Sequence, residues 1–262
     1  MFGARLARSL RRRRSSAVLL FLLLVIGTQL YTQLRQRPSP PTSSSADSST
    51  QSDVLADATA QTGLAAEVLE KLPVKGRAAK TGYTRAQFSD GWAELDGCDV
   101  RNLILKRDLQ VIMLDEAGCK IKSGTLMDPY TGKTIAFVRG ELTSDDVQID
   151  HVVALSDAWQ KGAQQLETAA RYQLANDALN LLAVDGDTNQ KKGDSDAASW
   201  LPPNKDYRCR YVARQIAVKS KYGLWVTDAE KSAMQRVLST CPGQPLPIES
   251  AQTKKVENGT GP

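Results

Sequence analysis

The chain has 262 residues, with 34 Lys and Arg against 29 Asp and Glu, a formal charge of +5, and a single histidine. The surplus is local: residues 1–37 hold eight arginines and no acid, and the remainder has 26 basic residues against 29 acidic, a net of −3. A mildly acidic remainder excludes a broad, sequence-independent cationic surface for DNA and leaves only local nucleic-acid contacts.

At the N-terminus, Arg5, Arg8 and Arg11 to Arg14 precede the apolar run AVLLFLLLVIG, residues 17–27. Basic then apolar is the order of a secretory signal. The run is short for a spanning helix of roughly 20 residues, but Thr28 to Tyr31 extend it, and no A-x-A cleavage site follows. Residues 1–35 are therefore either a signal peptide or an N-terminal membrane anchor, and both place the rest of the chain outside the cytoplasm, secreted or at the cell surface. Residues 36–63, rich in Ser, Pro and Thr, cannot bury enough apolar surface to fold and read as a disordered linker. Residues 64–242 are the folded domain, and 243–262 a flexible tail. Four cysteines, Cys98, Cys119, Cys209 and Cys241, in an exported domain imply two disulfides. Of the three pairings, Cys98–Cys119 with Cys209–Cys241 keeps each bridge within one sequence-local unit. A zinc site competes, without C-x-x-C spacing to support it.

Along the domain, residues 64–72 read as a short helix. Residues 101–114 read as a turn or short helix leading into a strand at 109–114, and DEAGC as a turn. GTLMDPYTGKTIAFV reads as two short strands around an Asp128–Pro129 and Thr131–Gly132 turn. Residues 155–167 read as helix and LNLLAV, 179–184, as a buried strand. A short helix follows at 188–193 with Asp187 as its N-cap. Residues 206–222 form an amphipathic helix stopped by Gly223, and the capping box TDAE, 227–230, opens a last helix to about Ser239. The fold class is α+β.

The single histidine, His151, follows Asp150 at the end of a strand in VQIDHVVALSDAW. Asn180 opens the next apolar strand, and Asn189 lies nine residues later at a helix start. This strand–strand–helix order carrying D-H, N and N resembles the HNH, or ββα-metal, nuclease motif. Over about residues 83–241 the chain resembles the secreted actinobacterial HNH family, a domain of unknown function, through CDVRN, DPYTGK, DHVVALSDAWQKGA, ANDALNLLAVDGDTNQKKGD, WLPPN and YRCRYVARQIAVKSKYGL. The family pattern has histidine at the third position, where this chain has Asn189.

The chemistry expected of these residues is phosphodiester hydrolysis. It requires an activated water and relief of charge on the phosphate. His151 is the candidate base. Asp150 and Asn189 offer an all-oxygen pair suited to Mg²⁺, or another divalent cation such as Mn²⁺, rather than to zinc. The resemblance makes Asn180 the residue that orders the loop presenting the base. Strand alternation points Asp150 and His151 to opposite sides unless the backbone bends between them, so a bend is expected there. Arg101, Lys191 and Lys192 are candidate phosphate contacts, against the plainer readings of a structural salt bridge and a solvated lysine pair. Trp92, Trp159 and Trp200 read as core residues, and Asp194 as a turn cap or a support for the metal shell. The expected partner is a nucleic-acid substrate, DNA ahead of RNA, with membrane contact through the N-terminal segment if it is uncleaved and no protein partner evident. The competing reading is a non-catalytic cell-surface binding or structural domain that keeps the fold.

Overall fold

The computed structural model describes residues 63–247, so the export segment, nearly all of the linker and the end of the tail lie outside the described residues. No helix among the described residues is long and apolar enough to cross a membrane. The elements in chain order begin with α1 (Ala65–Lys71), β1 (Glu94–Leu95), β2 (Cys98–Asp99), α2 (Val100–Asp108), β3 (Leu109–Leu114), β4 (Ile121–Met127) and β5 (Thr134–Val138). They continue with β6 (Val147–His151), α3 (Leu155–Gln160), α4 (Thr168–Asn176), β7 (Leu181–Asp185), α5 (Gly186–Lys192), α6 (Arg208–Lys221) and α7 (Asp228–Leu238). The α+β expectation holds, with three small antiparallel sheets: β1–β2, β3–β4–β5 and β6–β7.

The β6–β7 ribbon separates two cores. Val147, Ile149, Leu181 and Ala183 pack against α2 and the three-stranded sheet. Leu182 and Val184 face the larger core built with α1, α6 and α7. Burial on both faces explains why LLAV, residues 181–184, is continuously apolar rather than alternating. Both disulfides form in the expected pairing, Cys98–Cys119 and Cys209–Cys241, and among the described residues no cysteine is free.

Several boundaries differ from the sequence expectation for local reasons. The helix expected over 155–167 stops at Gln160, because Gly162 takes φ +122°, and a Cβ there would lie 3.1 Å from the Trp225 ring. A 3-10 turn, Ala163–Gln165, and then α4 follow. Helix α5 starts two residues earlier than expected. Its N-cap is Asp185, not Asp187, and the Asp185 carboxylate accepts from Thr188 N at 2.8 Å. The turn is tight enough to require Gly186, where a Cβ would fall 2.0 Å from the Asp145 carbonyl oxygen. Thr227 caps α7 through Glu230 N at 3.2 Å. The Glu230 carboxylate does not close the capping box; it turns into the core. The ordered chain also runs past residue 242: Leu246 is buried, and the Gln244 carbonyl accepts from Ala65 N.

Glu230 belongs to an ionic cluster in which three buried acids meet two buried lysines and the exposed Arg77. Lys161 Nζ lies 2.7 Å from Asp157, 2.7 Å from Asp196 and 2.6 Å from Glu230. Lys219 joins Glu230 at 3.1 Å, and Arg77 joins Asp157 and Asp196 at 3.1 and 2.8 Å. Burial alone pushes the Asp196 carboxyl up, but the hydrogen bond and charge of Lys161, with Arg77, outweigh it and hold it at about 2. Asp157 and Lys161 of DHVVALSDAWQKGA thus serve the fold: matched positive and negative charge avoids an isolated buried ion.

Candidate active site

Strands β6 and β7 pair in register, with Asp150 opposite Leu182 and His151 opposite Leu181, and α5 follows directly. The ladder runs through His151, so the expected bend between Asp150 and His151 is absent. The chain turns only after the histidine, and the two side chains enter different surroundings on opposite faces of the strand.

His151 is 7 % exposed. Its Nε2 lies 2.8 Å from the Ala175 carbonyl at the end of α4, and its ring lies parallel to Trp92 with centroids 6.1 Å apart. A carbonyl only accepts, so Nε2 carries the proton and Nδ1 keeps its lone pair. Burial holds the imidazole pKa at about 3, with Arg85 and Lys192 pushing the same way and the Ala175 carbonyl opposing. The ring is therefore neutral at physiological pH.

Asn180 is fully buried and grips the loop that follows His151. Its Oδ1 accepts from Val153 N at 2.8 Å, and its Nδ2 donates to Val153 O and to Leu174 O at 3.2 and 3.3 Å. Leu174 precedes the peptide that fixes the imidazole, so one amide ties together both segments around the base. Gln215 adds a bond to Val152 O at 3.0 Å. Outside, Arg107 and Arg214 donate to the carbonyls of Ala178 and Leu181, and Arg214 also to Leu179. Asn180 thus sits where the loop-ordering role expected of it would place it, between β7 and the segment after His151.

Asp150 is 5 % exposed and faces the larger core. Lys192 Nζ lies 2.9 Å from its Oδ1, and the Tyr130 hydroxyl donates to its Oδ2. Burial raises the Asp150 carboxyl pKa, with the Lys192 charge and the Tyr130 hydrogen bond opposing. Lys192 also donates to the His151 carbonyl at 2.9 Å and is 1 % exposed. It is therefore an internal counter-ion, not the surface phosphate contact expected. Lys191 is exposed. Asn189 is half-buried one turn before Lys192, and its Nδ2 donates to Gln148 Oε1 at 3.0 Å. Gln148 and Asp150 share a face of β6, so Asn189 and Asp150 both stand between β6 and α5. Asn189 Oδ1 receives no hydrogen bond among the described residues. No group of three His, Cys, Asp or Glu side chains comes together there to hold a metal.

The other candidates fall elsewhere. Arg101 is half-buried and donates to the carbonyls of Ser144 and Val147, securing the entry to β6 rather than pairing with a carboxylate. Asp194 pairs with Lys80 and accepts from Ser156 at the surface. Trp159 is core, as expected, whereas Trp92 and Trp200 are only half-buried.

Sequence reasoning missed two residues here. Tyr130 is fully buried in DPYTGK, and Asp128 of that motif anchors the turn by accepting from Thr131 N at 2.7 Å and from Asp185 N at 3.0 Å. An aromatic inside a polar turn was the available signal. Arg85 is exposed, has no carboxylate partner among the described residues, and acts electrostatically on His151. Its 3-10 turn is fastened to α4 by Arg171 Nε on Gln87 O at 2.8 Å, and Ala93 N on Asn176 Oδ1 at 2.9 Å fastens the far end of the same segment.

Fold and site together define an α+β domain built on a ββα unit. Residues 102–237 match the family described as the C-terminal domain of GmrSD restriction endonucleases. A protein of Arthroderma benhamiae (strain ATCC MYA-4681 / CBS 112371), named only as an uncharacterized secreted protein, is 41% identical over 180 residues, covering 68% of this chain and 84% of its own. This chain belongs to the family of GmrSD restriction endonuclease C-terminal domains.

Proposed function

We propose that the protein is an exported HNH-type endonuclease that hydrolyses phosphodiester bonds of nucleic acid with His151 as the general base. The observation that carries this reading is the Nε2 contact to Ala175 at 2.8 Å, which leaves Nδ1 as the basic atom, on a loop that Asn180 pins. Nδ1 takes a proton from water, the water oxygen attacks phosphorus, and the bond to the leaving oxygen breaks, that oxygen then taking a proton from solvent. Arg85, exposed and acting electrostatically on the base, would receive the phosphate, and exposed Lys191 is a further candidate.

By donor type, the Asp150 carboxylate and the Asn189 amide oxygen suit a hard divalent cation, Mg²⁺ or Mn²⁺, with water completing the shell. However, Lys192 and the Tyr130 hydroxyl occupy both Asp150 oxygens, and a cation would have to displace them. Bound there, it would supply charge neutralisation for the phosphate and the leaving oxygen. Export rests on the basic-then-apolar N-terminus and on the secreted relative.

A second reading, a cell-surface module that keeps the fold without turnover, is favoured by one observation. Asp150 is already neutralised by Lys192, on the strand face away from His151. Supercoiled-plasmid nicking, with Mg²⁺ and with chelator, separates the two. The nuclease reading expects nicking that His151→Ala lowers by about 10²–10⁴-fold, the usual worth of a positioned base, with the circular dichroism spectrum unchanged. Equal nicking by folded His151→Ala protein removes His151 as the base, and no cleavage of DNA or RNA by wild type leaves the module reading.

A further inference from the structure

A groove of about 530 Å³ opens between residues 197–201, the start of α6 and the end of α7. Its floor is apolar, with Trp200 and Val237, and its rim carries Lys205, Arg208 and Arg236. No acid lines it, although residues 38–262 carry a net charge of −3. Lys205 and Arg236 are exposed and form no ion pair among the described residues. Arg208 uses Nε on the Pro202 carbonyl at 2.8 Å, which fixes its direction. The Cys209–Cys241 bridge joins the two helix ends that carry the rim, so the cations are held on a stapled frame. Trp200 is held edge-on against Tyr130 and Tyr211, with centroids 5.1 and 5.6 Å apart. Tyr130 is the ring whose hydroxyl donates to Asp150, so one aromatic stack joins the groove floor to the candidate site.

We propose that this groove is a second binding site, for a single-stranded stretch of nucleic acid, with a base on Trp200 and phosphates on Lys205, Arg208 and Arg236. An aromatic floor with a cationic rim matches how single strands are held: a π-face takes any base, and the cations track the backbone. A duplex keeps its bases stacked inside and cannot offer one to Trp200. The proposal rests on the nuclease reading for its choice of ligand, and it gives the substrate a hold away from His151.

The test uses His151→Ala protein and a labelled single-stranded oligonucleotide, with anisotropy followed across a salt series. Lys205→Glu and Arg236→Glu should each weaken binding and flatten the salt dependence by about 0.7 in slope per lost contact. Lys71→Glu, the same charge change outside the groove, should do neither. The proposal is overturned if the groove variants weaken binding no more than Lys71→Glu, or if the oligonucleotide does not bind. Plasmid nicking is scored separately. Nicking by wild type without groove-dependent oligonucleotide binding sinks only this site, and groove-dependent binding without nicking sinks only the catalytic reading.

Discussion

Replacing Lys192 with Met tests the internal placement of that lysine most directly. Methionine keeps the bulk of the side chain and removes only the charge. Asp150, 5 % exposed, would keep the Tyr130 hydroxyl and lose the ammonium at 2.9 Å. At that separation and an effective dielectric of about 20, the lost attraction is about 6 kcal/mol. Relaxation and partial neutralisation of the carboxyl reduce this, and breaking one side of a buried pair costs about 3–5 kcal/mol. The His151 carbonyl loses a donor as well, which adds about 1 kcal/mol. Of a total stability of about 5–15 kcal/mol, that is a large share. Equilibrium urea unfolding followed by circular dichroism reads it directly. The double variant Lys192→Met/Asp150→Asn should recover a substantial part, because the uncompensated charge is gone, and the non-additivity measures the pair. A loss below about 1 kcal/mol, the range of exposed ion pairs, would refute the reasoning and return Lys192 to the surface role that its neighbour Lys191 keeps.

Two further outcomes follow from the same structure. The His151 pKa, about 3 in the folded protein against an ordinary 6.5, is depressed by burial first. Folded and unfolded chains both carry a neutral ring above about pH 6.5, and as pH falls towards 3 only the unfolded chain takes the proton, so stability drops. The loss is about 2 kcal/mol between pH 8 and pH 5, and Asp196, at about 2, contributes only at lower pH. His151→Gln should flatten that slope, and because the chain has one histidine, its imidazole NMR signal reports the titration unambiguously. A midpoint near 6.5 would contradict the burial argument. Removing the Cys209–Cys241 bridge, with a separation of 32 residues, should lower stability by about 3–4 kcal/mol if unfolded-chain entropy dominates. A change under 1 kcal/mol in thermal or urea unfolding of the Cys209→Ser/Cys241→Ser protein would rule out that account.

What was legible in the sequence was what local chemistry decides. LNLLAV reads as a strand buried on both faces, Gly223 and TDAE mark helix ends, and four cysteines pair within local units. What was hidden depends on phase and on distant partners. Lys191 and Lys192 are chemically identical in the sequence. Which one points inward is set by where α5 begins, and at about 100° per residue a start two residues early turns the helix by roughly half a revolution. The cap at Asp185 rather than Asp187 therefore decides that Lys192 meets Asp150. Tyr130 and Arg85 reach the site from 20 and 66 residues upstream of Asp150 and His151, through turns whose aim no periodicity encodes. Arg101 read as a phosphate contact or a structural salt bridge because its acceptors are backbone carbonyls, which leave no trace in composition.

Strand β6 places two ionisable groups in adjacent buried positions and solves the resulting problem in two ways. Asp150 stays in the larger core because Lys192 and Tyr130 compensate it. His151 stays against the smaller core because it carries no charge there. The two side chains lie on opposite faces of the strand, but Lys192 links them, pairing with Asp150 while donating to the His151 carbonyl and lowering the imidazole pKa. A substitution on the Asp150 side should act first through stability and charge. A substitution on the His151 side should act first through proton transfer. Asn180 holds the peptides on either side of the imidazole, so it joins loop order to the setting of the ring. Its replacement should therefore lower stability and any activity that depends on His151 together.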